Sequence, residues 1–163
     1  MMNNMAHAVL RLLEENKIDH TLAEHPAVFN MEELYAQGLE HCDAIAKNLL
    51  VRDQKKRFYW LLVLYGEKRA DLKALKARLG HGALSFAGAE ELAELLGLTP
   101  GSVTPFGALN DKEHQVTILL DEDYRGKLIG VHPNDNTATV WLPADALVEL
   151  LRQQGTTVEF IPF

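Results

Sequence analysis

Two apolar runs joined by a short polar turn place the strongest constraint on how this chain can fold. Residues 47–52 and 58–65 have the length and apolar character of strands, and the residues between them are polar and mostly basic. Two such runs separated by a short polar turn predict an antiparallel hairpin. The run 58–65 is also the longest apolar stretch, and it is far too short to cross a membrane.

Helical and strand-like segments alternate irregularly through the rest of the chain. Helices are predicted at residues 6–17, 31–37, 71–79, 89–96 and 143–153. Further strands are predicted at residues 18–22, 84–86, 115–120, 127–131, 137–142 and 157–161. Residues 99–107 are expected to form an ordered loop stiffened by two prolines. Because no regular β–α–β repeat or linker is visible, we predict one mixed α/β (α+β) domain over residues 1–163.

The charge of the chain is unevenly distributed. The formal net charge is −7, yet residues 47–78 hold ten basic and only three acidic residues. A local basic surface on an acidic protein can bind a polyanion, but a merely solvated helix face explains the same pattern equally well. A single cysteine, Cys42, excludes an internal disulfide, and the first residues lack the features of a signal peptide. We therefore expect a cytoplasmic protein.

Three common kinds of catalytic site find no support in the sequence. The seven histidines include no pair at the helical spacing of a zinc protease, and one cysteine cannot build a thiolate site. Neither Ser85 nor Ser102 lies in a Gly-x-Ser-x-Gly turn, and no glycine-rich phosphate loop is present. We predict no metal, no nucleotide cofactor and no side-chain nucleophile.

Two segments remain as candidates for a binding site. Lys47 and Asn48 begin the first strand of the hairpin, where the lysine could bind a phosphate or could simply protect a strand edge. Gly130 is expected to open a loop between two strands, in which backbone amides could bind a carbonyl or an anion. His132, in that loop, could line the site or could be an ordinary exposed histidine.

Taken together, these segments resemble the YbaK/ProRS-associated domain family, and within it the ProX or PrdX branch of alanyl-tRNA(Pro) deacylases. The resemblance covers nearly the whole chain and rests on seven short motifs in the same order. They lie at residues 24–26, 47–53, 71–73, 84–86, 96–105, 110–111 and 132–139. It implies a compact fold with a mixed, partly barrel-like sheet surrounded by helices.

The resemblance also implies a function and a set of site residues. The expected reaction is hydrolysis of the ester that joins a wrong amino acid to tRNA(Pro), without metal or organic cofactor. Lys47 and Asn48 would hold the acceptor end, and the amides from Gly130 to Pro133 would bind the ester carbonyl, with help from the substrate's own 2′-hydroxyl. The side chains expected to bind the substrate or line its pocket are Asn48, Val131, Pro133, His25, Val28, Phe29 and Met31.

Some alternatives stay open at this level. Leu50 and Val131 stand where the family often has bulkier residues, and the second difference bears on the size of the pocket. The loop lacks the Gly-Gly-Lys-Arg pattern of the cysteinyl-tRNA(Pro) branch, which favours alanine as the amino acid removed. Beyond tRNA(Pro), prolyl-tRNA synthetase or an elongation factor are candidate partners, and the oligomeric state is open. A non-catalytic module that binds aminoacyl-tRNA or proline is the competing hypothesis.

Overall fold

The computed structural model describes residues 2–163, which form five α-helices and eight β-strands. The helices are α1 (Asn4–Glu15), α2 (Met31–Tyr35), α3 (Leu72–Leu79), α4 (Ala89–Leu96) and α5 (Ala144–Gln153). The strands are β1 (Thr21–Glu24), β2 (Lys47–Asp53), β3 (Tyr59–Leu64), β4 (Leu84–Phe86), β5 (Val116–Asp121), β6 (Leu128–Val131), β7 (Ala138–Pro143) and β8 (Val158–Ile161). The predicted mixed α/β class is confirmed.

The strands are divided between two sheets. One has five strands in the order β4-β2-β3-β5-β8, with antiparallel pairing on the β2 side and parallel pairing from β3 to β8. The other has three antiparallel strands in the order β1-β7-β6. A bridge between Ile45 and Gly130 joins them just before β2 begins, so the sheets meet where Lys47 and Asn48 start their strand.

The predicted hairpin is confirmed, and one aspartate organises its turn. β2 and β3 pair from Lys47 opposite Leu64 to Arg52 opposite Tyr59. The carboxylate of Asp53 accepts hydrogen bonds from the amides of Arg57 and Phe58 at 2.7 and 2.9 Å. These bonds provide an acceptor for two backbone N–H groups of the turn that would otherwise have none. The basic residues of the turn project into solvent.

Helix ends follow the local signals in the sequence. The side chain of Asp71 accepts from the amides of Lys73 and Ala74 and caps α3, which ends at Gly80 with a φ of 72°. Gly97 ends α4 in the same left-handed conformation, which costs glycine little because it has no Cβ. Both helices therefore lie where the sequence predicts them.

Three predicted segments differ from the structure. The first strand begins at Thr21, not at residue 18, because Lys17 turns with a φ of 54° and the amide of Ile18 still bonds to Leu13. The expected loop 99–107 is occupied by one 3₁₀ helix, Pro100–Ser102, and by the start of a second, Pro105–Asn110. Gly130 lies inside β6, so the expected loop begins only at His132.

Apolar side chains pack on both faces of the five-stranded sheet. On one face, Leu50, Leu61 and Val63 belong to the main core, which also contains parts of α1, α4 and α5. On the other face, Val51, Trp60 and Leu62 pack beneath α3 through Leu75. A third cluster unites Val28, Leu34, Ile45 and Trp141 between the three-stranded sheet and α2. No helix within residues 2–163 is both long and apolar enough to cross a membrane.

Candidate functional site

A cavity of about 270 Å³ opens where the two sheets meet. Seven of the ten residues predicted for the site line this cavity, which are Val28, Phe29, Met31, Lys47, Asn48, Val131 and His132. The structure thus brings together segments that are up to about a hundred residues apart in the chain. Of the other three, His25 lies behind the lining, and neither Gly130 nor Pro133 contributes to it.

Lys47 supplies the one charged side chain that the described residues contribute to the lining. It sits at the first position of β2, opposite Leu64, in a partly buried position. The residues around it in the lining include Ile45, Ala46 and Leu49, which are apolar. A cation in such surroundings attracts an anion more strongly than one in open water, since the local dielectric constant is lower.

Asn48 follows Lys47 at the start of β2, and it also lines the cavity. Its amide nitrogen donates to the carbonyl of Ala46 over a long 3.4 Å. Its amide oxygen is buried and has no hydrogen-bond partner within residues 2–163. A buried polar atom without a partner costs about 1–3 kcal/mol, so this side chain is suited to reorganise around a polar ligand.

His132 is held in one tautomer. Its Nδ1 lies 2.7 Å from the carbonyl oxygen of Ala138, and because a carbonyl can only accept, Nδ1 donates. Burial lowers the pKa of His132, an effect that the nearby His25 reinforces and the bond to Ala138 opposes. The backbone is fixed as well, since the hydroxyl of Thr104 donates to the His132 carbonyl at 2.6 Å.

A second histidine supports the cavity from behind. The Nε2 atom of His25 lies 2.9 Å from the hydroxyl of Thr139, which is fully buried and lines the cavity. The Nδ1 atom of His25 lies 2.9 Å from the carbonyl oxygen of Pro26. The rings of His25 and His132 are 6.0 Å apart between centroids. These contacts make His25 a support of the lining rather than a part of it.

Gly130 has a different place from the one that the sequence suggests. It does not adopt a left-handed conformation, and it pairs with Trp141 in the sheet. A Cβ at this position would lie 2.7 Å from the Nε1 of Trp141 and 3.0 Å from Ile45. The glycine is therefore required for close packing.

Pro133 also differs from what the sequence suggests. Its nitrogen carries no hydrogen, so its backbone cannot donate to the carbonyl of an ester.

The apolar wall of the cavity is tied to the loop that follows β6. Val28 is 2% exposed, and its backbone N–H and C=O both bond to Asn136, at 3.2 and 2.8 Å. Phe29, in contrast, is 67% exposed and lies at the edge of the cavity beside Gly101. A Cβ on Gly101 would come within 2.9 Å of the Phe29 ring, so the small residue leaves room for it.

Several lining residues were not predicted from the sequence. They are Asn30, Leu34, Ile45, Ala46, Leu49, Pro100, Gly101, Val103 and Thr139. Thr139 is the most informative of them, and an indirect signal exists for it. It lies two residues before Trp141 in β7, so both side chains are on the same face of the strand, where a polar residue stands out beside a large apolar one. The position of Val103 depends on the 3₁₀ segments, which the sequence pattern does not predict.

Comparisons with known proteins agree with this geometry. Residues 25–150 match the model of the aminoacyl-tRNA editing domain. The prolyl-tRNA editing protein ProX of Acetoanaerobium sticklandii is 41% identical over 155 residues, which cover 94% of each chain. The prolyl-tRNA synthetase associated domain-containing protein 1 of Danio rerio is 35% identical over 150 residues, or 90% of this chain and 81% of that protein.

A solved structure extends the comparison to the fold. It belongs to a protein described as a candidate trans-editing enzyme for prolyl tRNA synthetase, with a TM-score of 0.73 and 25% identity over 100% of this chain and 99% of the other. The chain is therefore a member of the aminoacyl-tRNA editing domain family. This membership confirms the resemblance seen in the sequence and, with it, the expected class of enzyme, an editing hydrolase.

Proposed function

We propose that the protein hydrolyses the ester of mischarged tRNA(Pro), with Ala-tRNA(Pro) as its substrate. One observation carries the proposal. The cavity combines the cation of Lys47 with a small apolar wall, and among residues 2–163 no serine, cysteine or carboxylate lines it. Such a site is suited to positioning an ester that water attacks. The relative named as a prolyl-tRNA editing protein supports the choice of tRNA.

Lys47 is proposed to hold a phosphate or the ribose of the terminal adenosine. Its partly buried position at the start of β2, in the lining of the cavity, supports this role. A hydrogen bond to a charged group contributes about 1.5–3 kcal/mol, which suffices to fix one end of the substrate. Asn48 would supply a second polar contact through the amide oxygen that has no partner within the described part of the chain.

The amide of His132 is proposed to hold the ester carbonyl. Of the amides expected to do so, Gly130 does not line the cavity and Pro133 has no N–H. Val131 is part of the ladder with Val140. This leaves the His132 amide, which has no hydrogen-bond acceptor within residues 2–163. An aligned donor would stabilise the charge that develops on the carbonyl oxygen as water adds. The substrate's 2′-hydroxyl would help to activate that water.

The selection of alanine is proposed to follow from size. A synthetase discriminates weakly against a smaller amino acid, because a missing methylene is worth only about 1–3 kcal/mol. A second site that is too small for proline can remove the wrong product and spare the right one. Val28 and Met31 are proposed to set that limit, since both lie in the apolar wall.

The face of the five-stranded sheet that α3 covers is proposed to contact the tRNA beyond its 3′ end. Exposed cations that form no ion pair within residues 2–163 extend along it, in the turn after β2 and on α3. They are Lys55, Lys56, Arg57, Lys73, Lys76 and Arg78. Two exposed aromatic side chains, Phe58 at 43% and Phe86 at 54%, lie near the turn. Cations with nearby exposed aromatic rings suit a sugar–phosphate backbone.

Turnover tests the proposal and separates it from a purely binding role. The protein, prepared without added metal, is incubated with Ala-, Cys-, Ser- and Pro-tRNA(Pro), and the release of each amino acid is followed. We expect release of alanine and no release of proline. A protein that binds these tRNAs but hydrolyses none of them would be a binding module, and the enzymatic proposal would be wrong.

A further inference from the structure

Phe29 is the most exposed large apolar side chain in the part of the chain that the structure describes. Its exposed fraction is 67%, whereas Leu22, Phe58 and Phe86, the other three exposed side chains of this kind, reach at most 54%. Of these four, only Phe29 lines the cavity. Single exposed apolar residues are common on protein surfaces. An aromatic ring at the mouth of a binding cavity is, in contrast, a candidate contact for a ligand.

The backbone around Phe29 is held on both sides. The N–H of Phe29 donates to the carboxylate of Glu33 at 2.7 Å. The preceding residue, Val28, is bonded to Asn136 through both its N–H and its C=O. The ring itself lies against Gly101, where an added Cβ would come within 2.9 Å of it. These contacts keep the ring at the mouth of the cavity and leave most of the residue open to solvent.

The cavity is small for a whole aminoacyl-adenosine. Its volume is about 270 Å³, which is below the roughly 300–1,000 Å³ of sites that enclose a drug-sized ligand. Under the proposed function the amino acid and its ester enter the cavity, because hydrolysis takes place there. The adenine of the same nucleotide then lies at the mouth, where the ring of Phe29 is exposed.

Charge at the mouth separates the base of that nucleotide from its phosphate. Lys47 attracts a phosphate on one side of the lining. On the Phe29 side, the carboxylate of Glu33 lies against the backbone and repels a phosphate. An adenine has no net charge, so Glu33 does not repel it. The Phe29 side of the mouth therefore suits the base of a nucleotide whose phosphate is bound at Lys47.

We propose that the exposed face of the Phe29 ring stacks on the terminal adenine of the tRNA and so fixes the position of the ester in the cavity. The inference rests on the proposed function, because only the 3′ end of a tRNA brings an adenine next to such an ester. It gives the bound substrate a direction, with the phosphate at Lys47, the adenine on Phe29 and the amino acid against the apolar wall.

A pair of tRNA substrates isolates the adenine. One is Ala-tRNA(Pro), and the other is the same molecule with a hydrogen atom in place of the terminal adenine, so that the ribose, the phosphates and the ester are kept. The value of kcat/KM is measured for both and divided by the uncatalysed rate of hydrolysis. Stacking of one base on an aromatic side chain corresponds to about 5- to 150-fold. We expect the wild-type protein to prefer the substrate with adenine by about fivefold or more.

Variants of Phe29 connect that preference to the ring. We expect Phe29→Ala to lose about fivefold or more on the substrate with adenine and little on the substrate without it. Phe29→Tyr keeps the aromatic face and adds a hydroxyl to an exposed side chain, so it should retain the preference. Leu22→Ala is the control, because Leu22 is 38% exposed in β1 and outside the lining. It should leave both rates unchanged.

The possible outcomes lead to different conclusions. If Phe29→Ala lowers both rates equally, the ring supports the cavity without contacting the base, and the stacking role is wrong. If Phe29→Ala retains the preference for adenine, another residue binds the base, and the stacking role is again wrong. If the wild-type protein hydrolyses both substrates equally well, the base is not bound, although the proposed function stands. If the wild-type protein hydrolyses neither, the proposed function fails and the stacking role fails with it.

Discussion

Gly130 and Trp141 are opposite each other in the three-stranded sheet, and a Cβ on the glycine would lie 2.7 Å from the indole nitrogen. That nitrogen donates to the carbonyl oxygen of His41 at 3.1 Å, so the ring cannot move without breaking the bond. The glycine thus allows the strand to pack against Trp141 just before the cavity wall at Val131 and His132.

We expect Gly130→Ala to destabilise the protein through this close packing. Overpacking of a buried site costs about 1–3 kcal/mol in the free energy of unfolding. Urea denaturation measures the loss. Gly88→Ala is a suitable control because a Cβ there meets nothing within 4 Å, and its effect should be smaller. A Gly130→Ala protein as stable as the Gly88→Ala protein would show that the strand and the indole relax freely.

The pKa of His132 predicts how stability depends on pH. Burial lowers it in the folded protein, while an unfolded histidine titrates near about 6.5. Between the folded and the unfolded pKa the unfolded state binds more protons, so the free energy of unfolding falls as the pH falls through this window. Above the unfolded pKa the ring is neutral in both states and no dependence arises from it.

His132→Asn isolates that contribution, since an amide can still donate to the Ala138 carbonyl. We expect the difference in stability between wild type and variant to be constant above about pH 8, where a histidine with a pKa of about 6.5 or lower is neutral. As the pH falls into the acidic range, the free energy of unfolding of the wild type should fall relative to that of the variant. Thermal unfolding at a series of pH values provides the measurement. A difference that stays constant into the acidic range would contradict a lowered pKa for His132.

The size of the apolar wall predicts a change in selectivity. Val28 is 2% exposed and lines the cavity, so Val28→Ala enlarges it. We expect the variant to begin to hydrolyse Pro-tRNA(Pro), a gain of activity that general destabilisation cannot produce. Val9→Ala is the matched control, because Val9 is 1% exposed in α1 and outside the cavity. Proline release by both variants, or by neither, would argue against Val28 as the size limit.

The exposed cations of α3 predict that tRNA binding depends on salt. Replacement of Lys73, Lys76 and Arg78 by Gln should weaken binding and reduce the slope of log Kd against log salt by about one for each phosphate that is no longer neutralised. A triple change of Arg11, Lys17 and Lys112 to Gln alters the net charge equally but lies elsewhere on the molecule. Equal effects of the two sets would indicate that only net charge matters.

Local features of the fold can be predicted from the sequence, and the pairing of distant residues cannot. The β2–β3 hairpin and α3 follow from nearby residues, such as Asp71 and Gly80, whose signals act within one or two turns. The junction of the two sheets depends on the bridge between Ile45 and Gly130, and no local sequence pattern predicts this bridge.

Some residues of the candidate site can likewise be predicted from the sequence, and others cannot. Lys47, Asn48 and His132 can be predicted because polar groups at strand ends stand out, and the family resemblance points to them. The bond between His25 and Thr139 joins residues 114 positions apart, so neither residue can be paired with the other in advance. Gly130 is a special position, as the sequence suggests, but steric contact with Trp141 explains it rather than the conformation of a loop.

The role of Lys47 is the central claim, and hydrolysis of Ala-tRNA(Pro) by Lys47→Ala tests it most directly. Lys112→Ala is the matched control, because Lys112 is exposed and lies outside both the cavity and the cations proposed to contact the tRNA. With the loss of a charged hydrogen bond, we expect kcat/KM to fall by about tenfold or more in Lys47→Ala and to change little in Lys112→Ala. A folded Lys47→Ala protein with wild-type kcat/KM would contradict the account.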